Sequence, residues 1–241
     1  RADITERAKG HDIALSFEAG SLNKVITGRR GADTYTLKTY GKQAHSSGIF
    51  SERSGFGAIY EASRILDSFR VITSTEKFLT SNPGIMAAGT TIKDSGDRIT
   101  VYGKDNIIAS YATVTGDIRF LTEAQRRAAR IKMQAIVDKG SLPGTNAGIT
   151  FEDGIPSMSP GDANKKLAAS FNQVNLDMGL GDVTEVDPMS RGAGDISFIA
   201  SYITSLDGLG PSGSGAHAPG EILNTRELPL LIQRAAIFMY R

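Results

Sequence analysis

The chain contains no cysteine and no tryptophan, and only three of its 241 residues are histidine. The lack of cysteine excludes disulfide bonds and thiolate chemistry, although it does not fix a cellular compartment. Any metal site must therefore use imidazole and carboxylate groups, a donor set that suits zinc, manganese or cobalt. A nucleophilic triad needs a histidine as its base, and the chain has few histidines and no cysteine. The sequence also contains no GxSxG or P-loop motif.

The chain also lacks an excess of one charge and any long apolar run. It has 27 basic and 26 acidic residues without a basic block, which argues against a nucleic-acid-binding surface. No apolar run approaches the length of a membrane span. The opening residues, RADITERAKG, include neither Met nor a signal-like segment and resemble the interior of a longer polypeptide.

The middle of the chain, from 33 to about 152, predicts a β-α-β-β-α-β order. The first strand is ADTYTLKTYGK, and SGFGAIYEASRILDSF follows as a helix with Ser54 as its N-cap. Two β-rich stretches with the turn SGD between them come next, then a helix from Thr122 to Gly140 that carries Ala124, Ala128, Ile131 and Ala135 inward, and a last strand over about 148–152. This pattern predicts a four-stranded antiparallel sheet with two helices on one face.

The flanking segments predict part of an α/β layer. They supply a short buried strand over 11–18, a helix over 163–178, a strand at DVTEV, a helix through ISFIASYI and a closing helix over 227–240. We therefore expect a discontinuous α/β domain, 1–31 and 153–241, interrupted by an inserted α+β domain, 32–152.

Five side chains have both a structural and a functional interpretation. His217 lies in GSGAHAPGE and His45 in GKQAHSSG; each is either a loop residue or a functional imidazole. Glu18 ends an apolar strand, where a carboxylate either caps a helix or lies at a site. Arg119 either pairs with Asp117 or binds a substrate carboxylate, and Asp195 in RGAGDISF fits a helix cap.

Four segments together resemble the zinc-dependent exopeptidase and deacylase family M20, over nearly the whole chain. They are TGRRGADTYTLKTYGKQAHSSGIFSERSGFGAIYEASRIL, DNIIASYATVTGDIRFL, RGAGDISF and GSGAHAPGE. Their order and spacing are similar to the lid domain of that family followed by the C-terminal part of its catalytic domain. LSFEAG resembles the strand whose acid binds one of two zinc ions.

The resemblance implies roles for individual residues. Glu18 and His217 would each bind one zinc ion of a two-zinc site. His45 would reach the active site of a partner subunit and support the developing oxyanion. The positions that match substrate-contacting parts of the family are Asn106, Arg119, Lys24, Gly194 and Asp195.

The chain departs from the family in two places. Ile155 stands where glutamate-releasing members have an arginine, which places glutamate specificity in doubt. The family's H-x-D motif and Glu-Glu pair, which hold further zinc ligands and the general base, do not occur before Glu18. We therefore expect this chain alone to bind zinc weakly and to be inactive.

The resemblance implies hydrolysis of a peptide or N-acyl amide bond next to a free carboxylate, by a homodimer that pairs through its lid. The expected substrate is a small peptide or an N-acyl amino acid, with no nucleic acid or membrane partner. The alternative hypothesis is a non-catalytic dimerisation or binding module that is stable without zinc.

Overall fold

The computed structural model describes residues 2–96 and 98–241, and the chain divides into two compact units. The first unit combines Arg1–Gly31 with Ile155–Arg241, and the second is the continuous stretch Ala32–Gly154. The mixed α/β architecture and the insertion of one unit into the other agree with the predicted fold class. Among the described residues, no helix is both long and apolar enough to cross a membrane.

Regular structure alternates along the chain. The α-helices are α1 (Ala2–Ala8), α2 (Gly57–Ser74), α3 (Glu123–Asp138), α4 (Asp162–Asp177) and α5 (Leu228–Tyr240). The strands are β1 (Ile13–Leu15), β2 (Lys24–Val25), β3 (Gly31–Tyr40), β4 (Thr80–Gly89), β5 (Thr91–Asp94), β6 (Ile99–Tyr102), β7 (Tyr111–Phe120), β8 (Asn146–Ile155), β9 (Thr184–Glu185), β10 (Thr204–Leu206), β11 (Gly213–Ser214) and β12 (Ile222–Leu223).

The second unit, here called the lid, is built on a four-stranded sheet with the order β4-β7-β3-β8. Strands β4 and β7 pair in antiparallel register from Thr80 opposite Arg119 to Gly89 opposite Tyr111, with a bulge after Pro83. Because side chains alternate across a strand, one face of β3 and β7 is buried and largely apolar, while the other is rich in threonine. The sheet therefore has one face that must be covered.

Helices α2 and α3 cover that buried face. Their side chains share one core with the sheet, made by Tyr35, Leu37, Ile65, Phe69, Leu79, Val114, Ile118, Phe120, Ala129, Met133, Val137 and Ile149. The Tyr35 and Phe69 rings meet edge to face at 5.9 Å. Thr122 Oγ1 accepts from the Gln125 backbone N–H at 3.1 Å, so Thr122 is the N-cap of α3 and the helix starts where the sequence predicted.

Three local features of the lid differ in detail from the sequence prediction. Helix α2 begins at Gly57 rather than after Ser54, because Gly55 and Gly57 adopt positive φ angles that interrupt the backbone. The predicted turn SGD does not join two strands of the main sheet but closes the separate β5–β6 hairpin; its third residue, Asp97, lies outside the described residues. Strand β8 is longer than predicted.

The first unit contains short parallel strand pairs covered by helices. Strand β1 pairs with β10 and β2 pairs with β9, both in parallel. Its main core contains Val25, Ala168, Phe171, Val174, Leu206, Leu209 and Phe238. The strand predicted over 11–18 is only three residues long and is partly exposed. The helix predicted through ISFIASYI is a single 3₁₀ turn, Asp195–Phe198, and the chain then continues into β10.

Candidate functional site

The lid presents His45 at the tip of the segment that follows β3. Its Nδ1 accepts from the Ser47 backbone N–H at 3.2 Å and lies 2.8 Å from the Ser47 hydroxyl. A backbone N–H can only donate, so in the neutral imidazole Nδ1 is the acceptor and the proton is on Nε2. The exposed His45 ring therefore offers an Nε2–H donor to solvent or to a ligand.

Asn106 lies beside His45, although 61 positions separate them. The Ser46 backbone N–H donates to the Asn106 carbonyl at 3.0 Å, and the Ile108 N–H donates to the Ala44 carbonyl at 2.9 Å. His45 and Ile107 form an isolated antiparallel bridge. Two of the predicted site residues are thus brought together by backbone hydrogen bonds.

Arg119 lies at the other end of the lid sheet. The Gly41 N–H donates to Ser110 O at 2.9 Å, so the segment that leads to His45 begins beside the Tyr111 end of β7. Arg119 is eight residues further along that strand, about 26 Å away at the usual rise per residue. Its Nε donates to Asp117 at 2.5 Å, and both side chains are about one-third exposed. The lid therefore does not bring Arg119 to His45.

In the first unit, the segment that contains Glu18 aligns with the residues that follow β10. Leu206 O accepts from Ser16 N–H at 2.9 Å, Glu18 O accepts from Gly210 N–H at 2.9 Å, and Pro211 O accepts from Gly20 N–H at 3.0 Å. A side chain on Gly20 or Gly210 would overlap the facing backbone, so glycine is required for this close approach. The Glu18 carboxylate itself is exposed.

His217 lies in the connection between β11 and β12, which pair in antiparallel. Its backbone has a φ of 64°, an uncommon conformation for a non-glycine residue, and its side chain is exposed. Such backbone strain is typical of functional loops, so His217 is still a candidate metal ligand.

The described residues do not form a metal centre. A catalytic zinc ion takes about three protein ligands, and the described ranges contain no group of three or more His, Asp or Glu side chains that could hold a metal ion. Glu18 and His217 are therefore at most part of a ligand set, and the residues present do not fit a complete zinc site.

The remaining predicted residues lie in the first unit. Lys24 Nζ donates to Thr184 Oγ1 at 2.8 Å and ties β2 to β9. Asp195 begins the 3₁₀ turn, with Gly194 rather than Asp195 at the N-cap. A Cβ on Gly194 would lie 2.8 Å from Arg29 Nε, so any other residue at this position would displace the Arg29 side chain.

Two charged residues that shape this region were missed by the sequence analysis. Arg29 pairs with the fully buried Asp207, and Arg29 also donates to the Gly192 carbonyl at 3.1 Å. Asp207 follows β10, whose Ser205 and Leu206 are buried, and an acid directly after a buried strand was the signal that the sequence offered.

Arg234 in α5 is a second buried cation, only 1 % exposed. It donates to the carbonyls of Leu22 at 2.7 Å and Ser21 at 3.0 Å, and its guanidinium lies 4.5 Å from the Phe171 ring centroid. Burial lowers the pKa of Arg234 to about 10, against the opposing effect of Glu227. It remains protonated at neutral pH and fixes the connector that follows Glu18.

Comparison with protein families identifies the lid. Residues 27–145 match the M20 peptidase dimerisation domain. This match to a peptidase dimerisation domain agrees with the family resemblance that the sequence predicted. Comparison with curated proteins gave no match.

Solved structures share the fold. The aminopeptidase PepT from Bacillus cereus has a TM-score of 0.71 and 16% identity over 96% of this chain and 59% of its own. A tripeptidase from Staphylococcus aureus gives 0.71 and 18% over 94% and 56%. The Bacillus subtilis YXEP protein, described as a dinuclear metal-binding peptidase of the M20 family, gives 0.67 and 15% over 97% and 58%. The chain thus spans between half and two-thirds of the length of these structures.

Proposed function

We propose that this chain forms the lid and part of the catalytic domain of a homodimeric amide-bond hydrolase, which acts on small peptides or N-acyl amino acids next to a free carboxylate. The observation that carries the proposal is the arrangement of the lid. His45 and Asn106 are neighbours at one end of the sheet, and Arg119 lies at the other end. Both ends present groups suited to bind an amide substrate.

The chemistry of the three side chains suits an amide substrate. The Nε2–H of His45 would donate to the scissile carbonyl oxygen, where negative charge develops during hydrolysis. The Asn106 amide would hold the same part of the substrate. Arg119 would bind the free carboxylate through its planar guanidinium, in exchange for its pairing with Asp117.

The separation within the lid favours a dimer. An extended tripeptide spans roughly 10 Å, whereas His45 and Arg119 are separated by about the length of β7, about 26 Å. One substrate therefore cannot contact both residues of a single lid. If both residues act on one substrate, they come from two copies of the chain, and each active site needs a dimer.

Metal binding by this chain alone is expected to be weak. Glu18 and His217 would each contribute one ligand to a metal centre whose other ligands are not among the described residues. Bound zinc ions would activate water and polarise the carbonyl. The PepT, tripeptidase and YXEP structures support hydrolase chemistry for the fold, while substrate and metal identity are part of the proposal.

The proposal is tested with a polypeptide that contains this chain together with the segment that completes the M20 fold. It is assayed with zinc against dipeptides, tripeptides and N-acyl amino acids. His45→Ala and Arg119→Ala should each abolish turnover. A mixture of the two variants, after subunit exchange, should recover about a quarter of the wild-type rate, because half of the dimers then contain one intact site.

Each outcome of this complementation decides a specific point. Activity that returns on mixing supports two lids per site. Inactive single variants whose mixture stays inactive would mean that the His45 and Arg119 acting on one substrate come from the same subunit, and would overturn the two-lid arrangement. No hydrolysis of any amide by the wild-type protein would favour the non-catalytic dimerisation module.

A further inference from the structure

A cavity of about 500 Å³ lies against the His45 segment of the lid. The side chains that give it chemical character are Lys42, His45, Ser47, Ser51, Arg53 and Ser54. Two of these are cations, and no carboxylate contributes to the lining. The cavity is therefore positively charged and rich in hydroxyl groups.

The two cations are available to a ligand. Lys42 Nζ donates to the Arg53 backbone carbonyl at 3.3 Å, which brings these two lining residues together. Both side chains are exposed, and neither belongs to an ion pair with another described residue. By contrast, Arg64, Arg126 and Arg130 of the same lid all pair with carboxylates.

The backbone that surrounds the cavity is held in a defined shape. Phe50 adopts a φ of 71°, and its ring lies 4.9 Å from Phe56 and 5.5 Å from Tyr60. The Ser51 hydroxyl donates to Gly48 O at 2.7 Å, and Ser54 is buried. Aromatic packing and local hydrogen bonds thus offset the backbone strain at Phe50 and keep Lys42 and Arg53 on one wall.

We propose that this cavity binds a second carboxylate of the substrate, on the acyl side of the scissile amide. This inference rests on the proposed function, in which His45 contacts the scissile carbonyl and Arg119 the free carboxylate of the product amine. When the carbonyl oxygen of a ligand accepts a hydrogen bond from His45 Nε2–H, the acyl group of that ligand lies in the cavity beside Lys42 and Arg53. The preferred substrate class is then an N-acyl amino acid or peptide with an acidic acyl group.

The cavity is tested by binding rather than by turnover, with the 241-residue chain. Glutarate is the dicarboxylate probe, neutral glutaramide is the isosteric control, and inorganic phosphate tests for a general anion site. The imidazole Cε1–H signals of the three histidines are followed by NMR at fixed pH, and His45 is assigned with a His45→Gln variant. Glutarate is expected to shift the His45 signal in a saturable manner without moving those of His11 and His217.

Matched variants distinguish binding at this cavity from a general attraction of the anion to the charged protein. Lys42→Gln together with Arg53→Gln should weaken glutarate binding by at least about tenfold, since charge-assisted hydrogen bonds are lost. Lys38→Gln together with Arg127→Gln removes the same net charge from exposed, unpaired lid cations outside the cavity and should leave the affinity within about twofold. Lys42→Arg and Arg53→Lys retain the charge and should retain binding.

Three results would overturn the inference. They are an unshifted His45 signal, equal weakening by the cavity and control variants, or tighter binding of phosphate than of glutarate. None of these depends on hydrolysis, so a failure here is distinct from a failure of the complementation experiment.

Discussion

Arg29 and Asp207 form a buried ion pair across 178 positions of the sequence. Asp207 is fully buried and also accepts from the Gly208 N–H at 2.5 Å, while Arg29 reaches the carbonyl of Gly192. The pair therefore joins three separate stretches of the first unit: the segment before β3, the end of β10 and the loop that contains Gly194.

Asp207→Asn is expected to destabilise the first unit strongly. The substitution leaves the guanidinium of Arg29 buried without a counter-charge, and loss of one partner of a buried pair costs about 3–5 kcal/mol. Urea denaturation followed by circular dichroism measures the change. Asp3→Asn, which removes an exposed pair with Arg7, serves as the control and should change the unfolding free energy by less than about 1 kcal/mol. Equal effects of the two substitutions would contradict a structural role for Asp207.

The lid is expected to lose stability in acid through Glu61. Burial of this carboxyl opposes ionisation, but hydrogen bonds from Arg64 and from the Leu142 N–H outweigh burial, so that the pKa is lowered from its ordinary value of 4.5. A carboxyl with a lower pKa in the folded state contributes stability above its unfolded pKa and loses it as the pH falls through the folded pKa. The contribution is therefore complete at neutral pH and declines below about pH 4.5.

Glu61→Gln tests this assignment. The variant should be less stable than the wild type at pH 7, and the difference between them should shrink as the pH approaches 3. Thermal unfolding across that range gives the comparison. Asp67→Asn, which removes an exposed acid of the same helix, is the control. A difference between wild type and Glu61→Gln that stays constant with pH would show that the ionised Glu61 does not contribute.

Local chemistry was the part of the fold that sequence reasoning predicted best. The start of α3 at Thr122 and its stop at Gly140, which has a φ of 118°, depend on neighbouring residues only. The rotation of helix α3 was predicted wrongly: Ile131 was expected inside and is 69 % exposed, whereas Met133 is buried. This helix has apolar residues on more than one face, so its contact with the sheet, rather than its periodicity, determines which ones are buried.

The candidate site shows the same limit. His45, Asn106 and Arg119 could be chosen as candidate site residues from the sequence, and the family resemblance suggested their roles. The adjacency of His45 and Asn106 depends on hydrogen bonds between distant segments, and the separation of Arg119 depends on the direction of β7. Lys42 and Arg53 carry no motif, and only the fold places them on one wall.

Lid pairing is expected to use the edge strand β4. This edge presents exposed Ile85 and Met86, while the opposite edge, β8, presents mainly polar residues. Ile85→Lys should shift a dimer toward monomer in sedimentation velocity, because a charge at an apolar edge is costly to bury. Ile131→Lys, at a still more exposed apolar position on α3, should leave the dimer intact. A dimer that survives Ile85→Lys and dissociates with Ile131→Lys would place the interface on the helical face.

Zinc is expected to stabilise this chain very little. A ligand present at 100 times its dissociation constant raises the unfolding free energy by about 2.7 kcal/mol, and structural zinc sites bind far more tightly than this requires. Only Glu18 and His217 are candidate ligands, so we expect 100 µM zinc to raise the free energy of unfolding by less than about 0.5 kcal/mol. This limit corresponds to a dissociation constant close to the zinc concentration used. Urea denaturation with and without zinc, and with the Glu18→Gln variant, measures the effect. A stabilisation of 2–3 kcal/mol that disappears in Glu18→Gln would show that the chain completes a metal site by itself.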